Sequence, residues 1–268
     1  MKKKDGMLEA VALKKNRIYQ GDCVEVLRRA SDSFVDLTIT SPPYDSLRDY
    51  EGYVFNFKGI AKELYRVTKL GGVVIWIVAD ATIKGSETGT SFRQALYFKK
   101  IGFDLNDTMI WNKGSFTAVG ALRKRYAQTF EYMFIFTKGS CKTFNPIKDR
   151  KNKVIGKMGG SLRLRDGTMR KMSTNGKIRA KFGQRFAIWK QPPCGGNKTG
   201  HPAPFPEKLI EDHIISWSNK GDTILDPMCG SGTTCKMAKK MKRNYIGIDC
   251  SKKYCKIAKA RVERIESE

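Results

Sequence analysis

The sequence predicts an α/β protein whose core is a mostly parallel β-sheet. Two observations lead to this class: short apolar runs recur along the chain as candidate strands, and segments with helical periodicity separate them. The strand candidates are apolar throughout rather than alternating, as in VVIWIV at 73–78, which is typical of parallel strands covered on both faces. At 268 residues, the chain is long enough to bury a large core.

The candidate elements follow one another from residue 17 to residue 265. The first strand candidate is RIYQGD (17–22), and GGVVIWIVAD (71–80) is a continuous apolar strand opened by glycines. The candidates at 104–113 and 131–138 come in succession, which predicts an antiparallel edge. The other strands are predicted at 35–41, 223–228 and 244–250. The helices are predicted at 23–30, 58–69, 91–102, 233–242 and 251–265, and one more is predicted to start at Pro206 within the segment 201–221.

Charge is unevenly distributed along the chain. The sequence holds 51 basic and 26 acidic residues, a net charge of +25, which predicts a polyanionic partner such as nucleic acid. From Lys148 to Lys190 there are fourteen Lys and Arg residues against only Asp149 and Asp166, and glycines interrupt the run. This segment is interpreted as a nucleic-acid-binding arm or loop region; a disordered basic insert is the alternative.

The other bulk features argue against several classes of protein. No stretch approaches 18 apolar residues and the basic start lacks a long apolar core, so neither a membrane span nor a signal peptide is expected. The seven cysteines form no CxxC pair and no zinc-ligand spacing with histidine. We therefore expect reduced thiols, no metal site and a cytoplasmic location.

A glycine loop late in the chain predicts a nucleoside-cofactor site. TILDPMCGSGTT (223–234) has the pattern of a strand, a turn at Asp226-Pro227, and then Gly230 and Gly232 before a helix whose N-terminus suits an anion. The next strand ends about 20 residues on at Asp249, which can accept both hydroxyls of a ribose. The spacing matches neither the nicotinamide-binding GxGxxG nor a P-loop. An ordinary strand-to-helix turn is the alternative.

The strand at 35–41 ends in a stiff aromatic tip. Pro42 and Pro43 fix two φ angles and remove two donors, while their carbonyls remain acceptors in fixed directions. Ser41 adds a hydroxyl acceptor, and Tyr44 adds a flat ring face. Together these groups suit an exocyclic amino group whose base stacks on the ring. A strand terminator with a packed tyrosine is the alternative.

The order of these motifs resembles the β-class amino DNA methyltransferases, in which the catalytic motif precedes the cofactor motif. The resemblance covers most of the chain and rests on GDCVEVL, VDLTITSPPY, GGVVIWIVAD, EYMFIFTKG, HPAPFPEKLI, DPMCGSGTT and NYIGIDCSKKYCKIAKARV. It implies a Rossmann-like methyltransferase fold, with a mostly parallel seven-stranded sheet, an antiparallel edge and helices on both faces. It also implies a catalytic domain at 1–140 and 191–268 and a basic target-recognition region at 141–190.

The resemblance implies S-adenosylmethionine as the cofactor. Asp249 would bind its ribose hydroxyls, Asp226 would lie near its methionyl amine, and Asp22 would accept from its adenine N6. The other implied cofactor-binding residues lie in the glycine loop, at the helix start that meets the methionyl carboxylate, and in the HPAPFP segment: Pro227, Gly230, Gly232, Thr233, Thr234, His201, Pro204 and Phe205.

The resemblance further implies double-stranded DNA as the substrate, with the target base flipped out of the helix. Tyr44 would stack on that base, while Ser41 and the carbonyl of Pro42 accept hydrogen bonds from its amine, and Pro43 completes the catalytic motif. In this family Ser at the first motif position usually accompanies N4-cytosine and Asp accompanies N6-adenine, so Ser41 predicts cytosine, with adenine as the alternative. Such enzymes are paired with a restriction endonuclease or act alone, and many are homodimers.

Other interpretations rest on fewer residues. A C5-cytosine methyltransferase needs a nucleophilic cysteine, and Cys194 in QPPCGG is the candidate, but the order of motifs is wrong for that family. RNA amino-methylation uses related motifs. A catalytically silent DNA-binding protein fits the charge but has no need of both motifs, and a nicotinamide oxidoreductase lacks the glycine spacing.

Overall fold

The computed structural model describes residues 13–43, 55–115, 124–194 and 204–266. The chain divides into two compact units, one formed by Met1–Asn145 with Ala187–Glu268 and the other by Pro146–Phe186. The first contains the large sheet and is called the sheet unit, and the second is called the arm. The arm falls inside the range 141–190 that the sequence sets apart, and its role in target recognition stays a prediction.

Strands and helices alternate along the sheet unit, as the apolar pattern predicts. No helix in the described ranges is long and apolar enough to cross a membrane. Numbered along the whole chain, the strands are β1 (Arg17–Gln20), β2 (Val35–Thr40), β3 (Thr68–Val78), β4 (Thr82–Ile83), β5 (Ser86–Glu87), β6 (Asp104–Asn112), β7 (Phe130–Thr137), β8 (Arg150–Lys151), β9 (Ser161–Arg163), β10 (Met169–Lys171), β11 (Phe182–Gly183), β12 (Ile188–Lys190), β13 (Thr223–Asp226) and β14 (Asn244–Asp249). The helices are α1 (Cys23–Arg28), α2 (Phe57–Val67), α3 (Thr90–Lys100), α4 (Glu207–Trp217), α5 (Thr233–Lys240) and α6 (Lys252–Glu263).

The large sheet has the strand order β1-β14-β13-β2-β3-β7-β6-β12. The first five strands of this order run parallel to one another. The sixth, β7, is antiparallel to both β3 and β6. The expected mostly parallel sheet and the antiparallel pair at 104–113 and 131–138 are therefore confirmed.

The sheet has eight strands in the described part of the chain rather than the expected seven. The additional strand is β12, which pairs in parallel with β6 and places Trp189 opposite Trp111. It contains only three residues, of which Trp189 alone is buried. So short a segment carries no apolar pattern, and its strand character comes from pairing with a distant part of the chain.

Helices cover both faces of the sheet, which explains the continuous buried apolar run of β3. On one face, Leu64 of α2 and Phe98 of α3 join Trp76 and Phe136 of the sheet in one apolar cluster that α1 also enters. On the other face, α4 packs against β7, and α5 packs against α4. In α2, buried Ile60, Leu64 and Val67 form the predicted helical face, so its packing on the sheet is confirmed.

The arm is one long antiparallel hairpin. Its two sides are joined by backbone hydrogen bonds from Arg185 N to Ile147 O (2.9 Å) at one end to Leu164 N to Thr168 O (2.8 Å) at the other. The β11–β8 and β10–β9 pairs lie between these ends. Asn152 is the one buried residue of the arm, which is described throughout, so the arm has no apolar core of its own.

Candidate active site at the carboxyl edge of the sheet

Four consecutive parallel strands bring the predicted site residues to one edge of the sheet. These strands are neighbours in the order β1-β14-β13-β2. Asp22 follows β1, Asp249 ends β14, Asp226 ends β13, and Ser41 follows β2. In open α/β sheets, ligands bind outside the carboxyl ends of the strands. The two motifs, which are almost 200 residues apart in sequence, are thus neighbours in the fold.

Asp249 is held in a fixed orientation by backbone groups. One carboxylate oxygen, Oδ2, accepts from Gly230 N at 2.8 Å, and the other, Oδ1, accepts from Ser251 N at 2.9 Å. Cys250 Sγ lies 4.0 Å from Oδ1 as well. The carboxylate is therefore held at the end of β14 with both oxygens in fixed directions, as a ribose diol requires.

Asp226 is a buried acid with an altered ionisation. Its Oδ1 accepts from the Thr40 hydroxyl at 2.9 Å and from Met228 N at 3.2 Å. Burial, and to a smaller extent the charge of Asp249, raise the pKa of Asp226 to about 6, against the lowering effect of hydrogen bonds to its carboxylate. A buried carboxylate of this kind favours a cationic partner, because the partner's charge would stabilise the ionised form.

The glycine loop needs its glycines partly for packing. Gly230 and Gly232 have φ angles of 49° and 78°, a backbone region that most side chains avoid. A Cβ atom on Gly232 would lie 2.6 Å from the Cβ of Ala258 on α6. Close helix packing therefore explains Gly232 without any ligand, a reason that the motif alone did not reveal.

Helix α5 begins where the sequence predicts, at Thr233. Thr233 and Thr234 form its first turn, and both residues are buried. The first N–H groups of an α-helix have no partner within the helix and favour an anion. Contact of this turn with a methionyl carboxylate stays a prediction, as does the place of Pro227, which follows Asp226 directly.

Arg261 of α6 contacts the glycine loop and was missed by the sequence analysis. Its Nη1 donates to Ser231 O (2.7 Å), Ser231 Oγ (2.9 Å) and Thr233 Oγ1 (3.1 Å). Its Nη2 donates to Glu207 Oε1 at 3.1 Å, and Lys236 donates to the same oxygen at 2.7 Å. Arg261 is one of 51 basic residues, and no sequence signal sets it apart.

The start of the catalytic motif lies beside the cofactor motif. Thr40, whose hydroxyl binds Asp226, is followed directly by Ser41 and Pro42, of which Pro42 is buried and Ser41 half-buried. Pro43 is the last described residue before the gap at 44–54. The predicted stacking residue Tyr44 lies outside the described residues.

Asp22 lies at the carboxyl end of β1, next to β14. Gly21 N donates to Asp249 O at 2.9 Å, which fixes this turn against the neighbouring strand. The side chain of Asp22 caps α1, since its Oδ1 accepts from Glu25 N at 2.9 Å. Helix capping accounts for an acid here, and its expected contact with the adenine amine stays a prediction.

From Pro204 onward, the described part of the HPAPFP segment leads into α4. Pro204 and Phe205 are half-buried, and the ring centroid of Phe205 lies 6.3 Å from that of Trp111. Glu207, two residues later, is the acid that binds Arg261. His201, the first residue of the segment, lies outside the described residues.

Cys194 does not have the character of a nucleophile. Desolvation raises the pKa of its thiol, and the charge of Glu207 raises it further. Its Sγ donates to Phe205 O at 3.1 Å. Reactive cysteines have lowered pKa values, so the raised pKa of Cys194 does not support the C5-cytosine interpretation.

Comparison with known proteins decides the family. A family model described as DNA methylase, for the N6/N4 methyltransferases, matches residues 35–260. The chain belongs to this DNA methylase family. The family predicted from the motifs is therefore confirmed, and the protein is a DNA methyltransferase of the N6/N4 type.

Individual relatives agree with this assignment. The orphan methyltransferase M.BamHII of Bacillus amyloliquefaciens is 54% identical over 241 residues, which cover 87% of this chain and 90% of that protein. The solved M1.HpyAVI–SAM complex is 25% identical, with a TM-score of 0.63 over 92% of this chain and 98% of that one. The PvuII DNA methyltransferase (cytosine-N4-specific) has a TM-score of 0.67 at 18% identity, over 98% of this chain and 94% of that one, a likeness of fold alone.

Proposed function

We propose that the protein transfers a methyl group from S-adenosylmethionine to the exocyclic N4 amine of a cytosine flipped out of duplex DNA. The observation that carries the proposal is the hydrogen bond from Thr40 to Asp226. It joins the strand that ends in Ser41-Pro42 to the strand that opens the glycine loop. A group held by the acids of this edge would lie beside an amine held by Ser41.

The residues of the edge suit S-adenosylmethionine. Asp249 offers two oriented acceptors for a ribose diol, and Asp226 offers a buried acid for the methionyl ammonium group. The first turn of α5 offers N–H groups to the methionyl carboxylate. The solved M1.HpyAVI–SAM complex, at 25% identity, supports the same cofactor here. When bound, S-adenosylmethionine supplies an electrophilic sulfonium methyl group.

The catalytic motif has to activate a weak nucleophile. The lone pair of an aromatic amine is delocalised into the ring. Ser41 Oγ and the Pro42 carbonyl would each accept a hydrogen bond from one of the two N–H groups of the amine. These hydrogen bonds would favour a tetrahedral nitrogen and stabilise the positive charge that develops on it. Tyr44 would stack on the flipped base. Orientation and electrostatics supply the rate gain, and no covalent bond to the protein is needed.

Ser41 supports cytosine as the target base, because Ser at this motif position usually accompanies N4-cytosine in the family. N6-adenine is the alternative, since one hydroxyl acceptor can serve either amine. The name of the 54%-identical relative describes an orphan methyltransferase, which supports an enzyme acting without a partner nuclease. Several other relatives are named type II methyltransferases, so pairing with a restriction endonuclease is the second candidate.

The test is transfer of the labelled methyl group from S-adenosylmethionine to duplex DNA of mixed sequence, with RNA of similar length in parallel. We expect label in DNA only, and we expect Ser41→Ala to lower kcat about 100-fold while the cofactor Kd changes less than about twofold. Label in RNA alone would contradict the proposal. Tight DNA binding without transfer, under conditions where the cofactor binds, would identify a silent DNA-binding protein.

A further inference from the structure

The arm (Pro146–Phe186) has a composition that fits one class of partner. It contains thirteen Lys and Arg residues against Asp149 and Asp166. Asp149 pairs with Arg185, and Asp166 Oδ1 accepts from Thr168 N at 2.9 Å and Thr168 Oγ1 at 2.7 Å. Both acids are thus engaged locally, and the arm presents a strongly positive surface, which matches the phosphates of a nucleic acid.

The outer part of the arm, residues 160–172, is called the distal hairpin. Met172 N donates to Gly160 O at 3.1 Å, and β9 and β10 then pair Ser161 with Lys171 and Arg163 with Met169. Every residue from 160 to 172 is exposed. Charge and exposure together leave the hairpin available to a large anionic partner.

The dimensions of the distal hairpin match the major groove of DNA. Two paired strands are about 4.8 Å apart, and with side chains they fill a groove about 12 Å wide, whereas the minor groove is only about 6 Å wide. From Gly160 to Leu164 the strand rises about 14 Å, more than the groove depth of about 8.5 Å. The hairpin can therefore reach base edges.

Strand alternation gives the hairpin two unlike faces. Because side chains alternate along a strand and paired residues share a face, Ser161, Arg163, Met169 and Lys171 lie together. Arg and Lys bind the guanine edge, Ser binds several edges, and an apolar side chain contacts the thymine methyl. The opposite face of the paired strands has a single basic group, Arg170, beside the apolar Leu162.

We propose that the distal hairpin enters the major groove of duplex DNA with Ser161, Arg163, Met169 and Lys171 toward the base edges, while Arg170 contacts phosphate. The proposal deepens the proposed function and rests on its duplex substrate. It assigns sequence selection to one face of a two-stranded ribbon.

The test is selection of binding sites from a randomised duplex library by the full-length protein, followed by affinity measurements on the preferred site and on random duplex at several salt concentrations. For Arg163→Ala and Lys171→Ala we expect about 10- to 100-fold weaker binding to the preferred site, and loss of preference at one or two adjacent positions. Binding to random duplex should change less than about threefold for each.

Two further variants separate base contacts from charge. Arg163→Lys keeps the charge but loses the two-pronged guanidinium, so it should lose selectivity and keep the salt dependence. Arg170→Ala should weaken binding to preferred and random duplex equally, and should reduce the slope of log K against log salt by about 1. Lys256→Ala, at an exposed position of α6, is the matched control and should keep every base preference.

Several outcomes would overturn the proposal. The proposal is contradicted if the wild-type protein selects no site, or if Arg163→Ala and Lys171→Ala keep every base preference. An equal loss of affinity for preferred and random duplex in all arm variants contradicts it as well. Binding to anionic lipid vesicles as tight as binding to DNA would also overturn it. Because the selection measures binding alone, a protein that selects a site but transfers no methyl group keeps this inference and loses the proposed function.

Discussion

The carboxyl edge of the sheet and the arm are built in opposite ways. At the edge, Asp226 is buried and bonded to Thr40, and Asp249 is held by two backbone N–H groups. In the arm, no apolar side chain is buried, and the segment contains thirteen basic residues but only two acidic ones.

This difference matches two separate requirements, one for methyl transfer and one for the selection of a DNA sequence. Methyl transfer needs groups fixed to within a fraction of an ångström, which a packed and hydrogen-bonded edge provides. Selection of a DNA sequence needs exposed side chains that contact bases and phosphates. A two-stranded hairpin is marginally stable alone, so we expect the arm to gain order on DNA while the edge is ordered beforehand.

The largest expected effect concerns Asp249. Replacing it with Ala removes the two oxygens that we propose accept from the ribose, together with the hydrogen bonds from Gly230 and Ser251. Because two hydrogen bonds to a charged group are together worth about 3 kcal/mol or more, we expect the Kd for S-adenosylmethionine to rise at least about 100-fold. Calorimetric titration measures this, with Asp107→Ala on β6 as a control that keeps its affinity. An unchanged Kd in the Asp249 variant would remove the residue from the cofactor site.

The next effect tests whether the two regions work independently. A variant in which Asn-Gly replaces residues 161–171 should bind duplex DNA about 10- to 100-fold more weakly, because it loses several phosphate and base contacts. Its Kd for S-adenosylmethionine should stay within about twofold of the wild-type value. Filter binding and calorimetry give the two constants. Equal losses in both would mean that the arm supports the edge, and the comparison between the regions would fail.

A third prediction uses the pKa of Asp226. With a pKa of about 6, the carboxyl is neutral in most molecules at pH 5 and ionised in most at pH 7. If it binds the methionyl ammonium group, cofactor affinity should rise about tenfold between these pH values. Thr40→Val removes a hydrogen bond to the carboxylate and should move the midpoint above pH 6. A pH-independent Kd in the wild type would contradict this role.

The same acid makes a prediction about the ligand-free protein. Since the folded pKa lies above the ordinary value of 3.8, the stability contributed by Asp226 is full below pH 3.8 and is lost as the pH rises through 6. Asp226→Asn should therefore stabilise the ligand-free protein at pH 7.5, by up to about 3 kcal/mol, and leave it unchanged at pH 3.5. Denaturant unfolding at both pH values is the measurement. Destabilisation of the variant at pH 7.5 would show that the carboxylate has a partner that stabilises its charge.

The smallest expected effect concerns Arg261, which we expect to position the glycine loop. Arg261→Ala loses its hydrogen bonds to Ser231 and Thr233, and the KM for S-adenosylmethionine should rise about 5- to 10-fold with kcat nearly unchanged. Lys236→Ala is the matched control, since Lys236 shares Glu207 but is not bonded to the loop residues Ser231 and Thr233. A similar rise in the control would assign the effect to Glu207 and the packing of the helices.

Much of the fold could be predicted because its signals are local. The apolar run at 73–78 is buried on both faces, as a covered parallel strand requires. Asp226 and Asp249 are the last residues of strands that the sequence also predicts. Since parallel strands of one sheet share a carboxyl edge, strand ends alone bring Asp226 and Asp249 to one edge. The motifs then identify the family.

What could not be predicted depends on contacts between distant parts of the chain. Strand β12 exists through its pairing with β6, and the contact of Gly232 with Ala258 requires the packing of α5 on α6. Arg261 contacts Ser231 from 30 residues away, with no spacing rule to reveal it. In the arm, the sequence shows the charge but not the hairpin, because paired strands of two or three residues are too short to show an apolar alternation.

The most direct test of the central claim is nucleoside analysis by mass spectrometry of duplex DNA treated with the protein and S-adenosylmethionine. The account predicts N4-methylcytosine, produced by the wild type and lost in the Ser41→Ala variant. N6-methyladenine would contradict the assignment of Ser41 to cytosine, and 5-methylcytosine would contradict the amino-methylation mechanism itself.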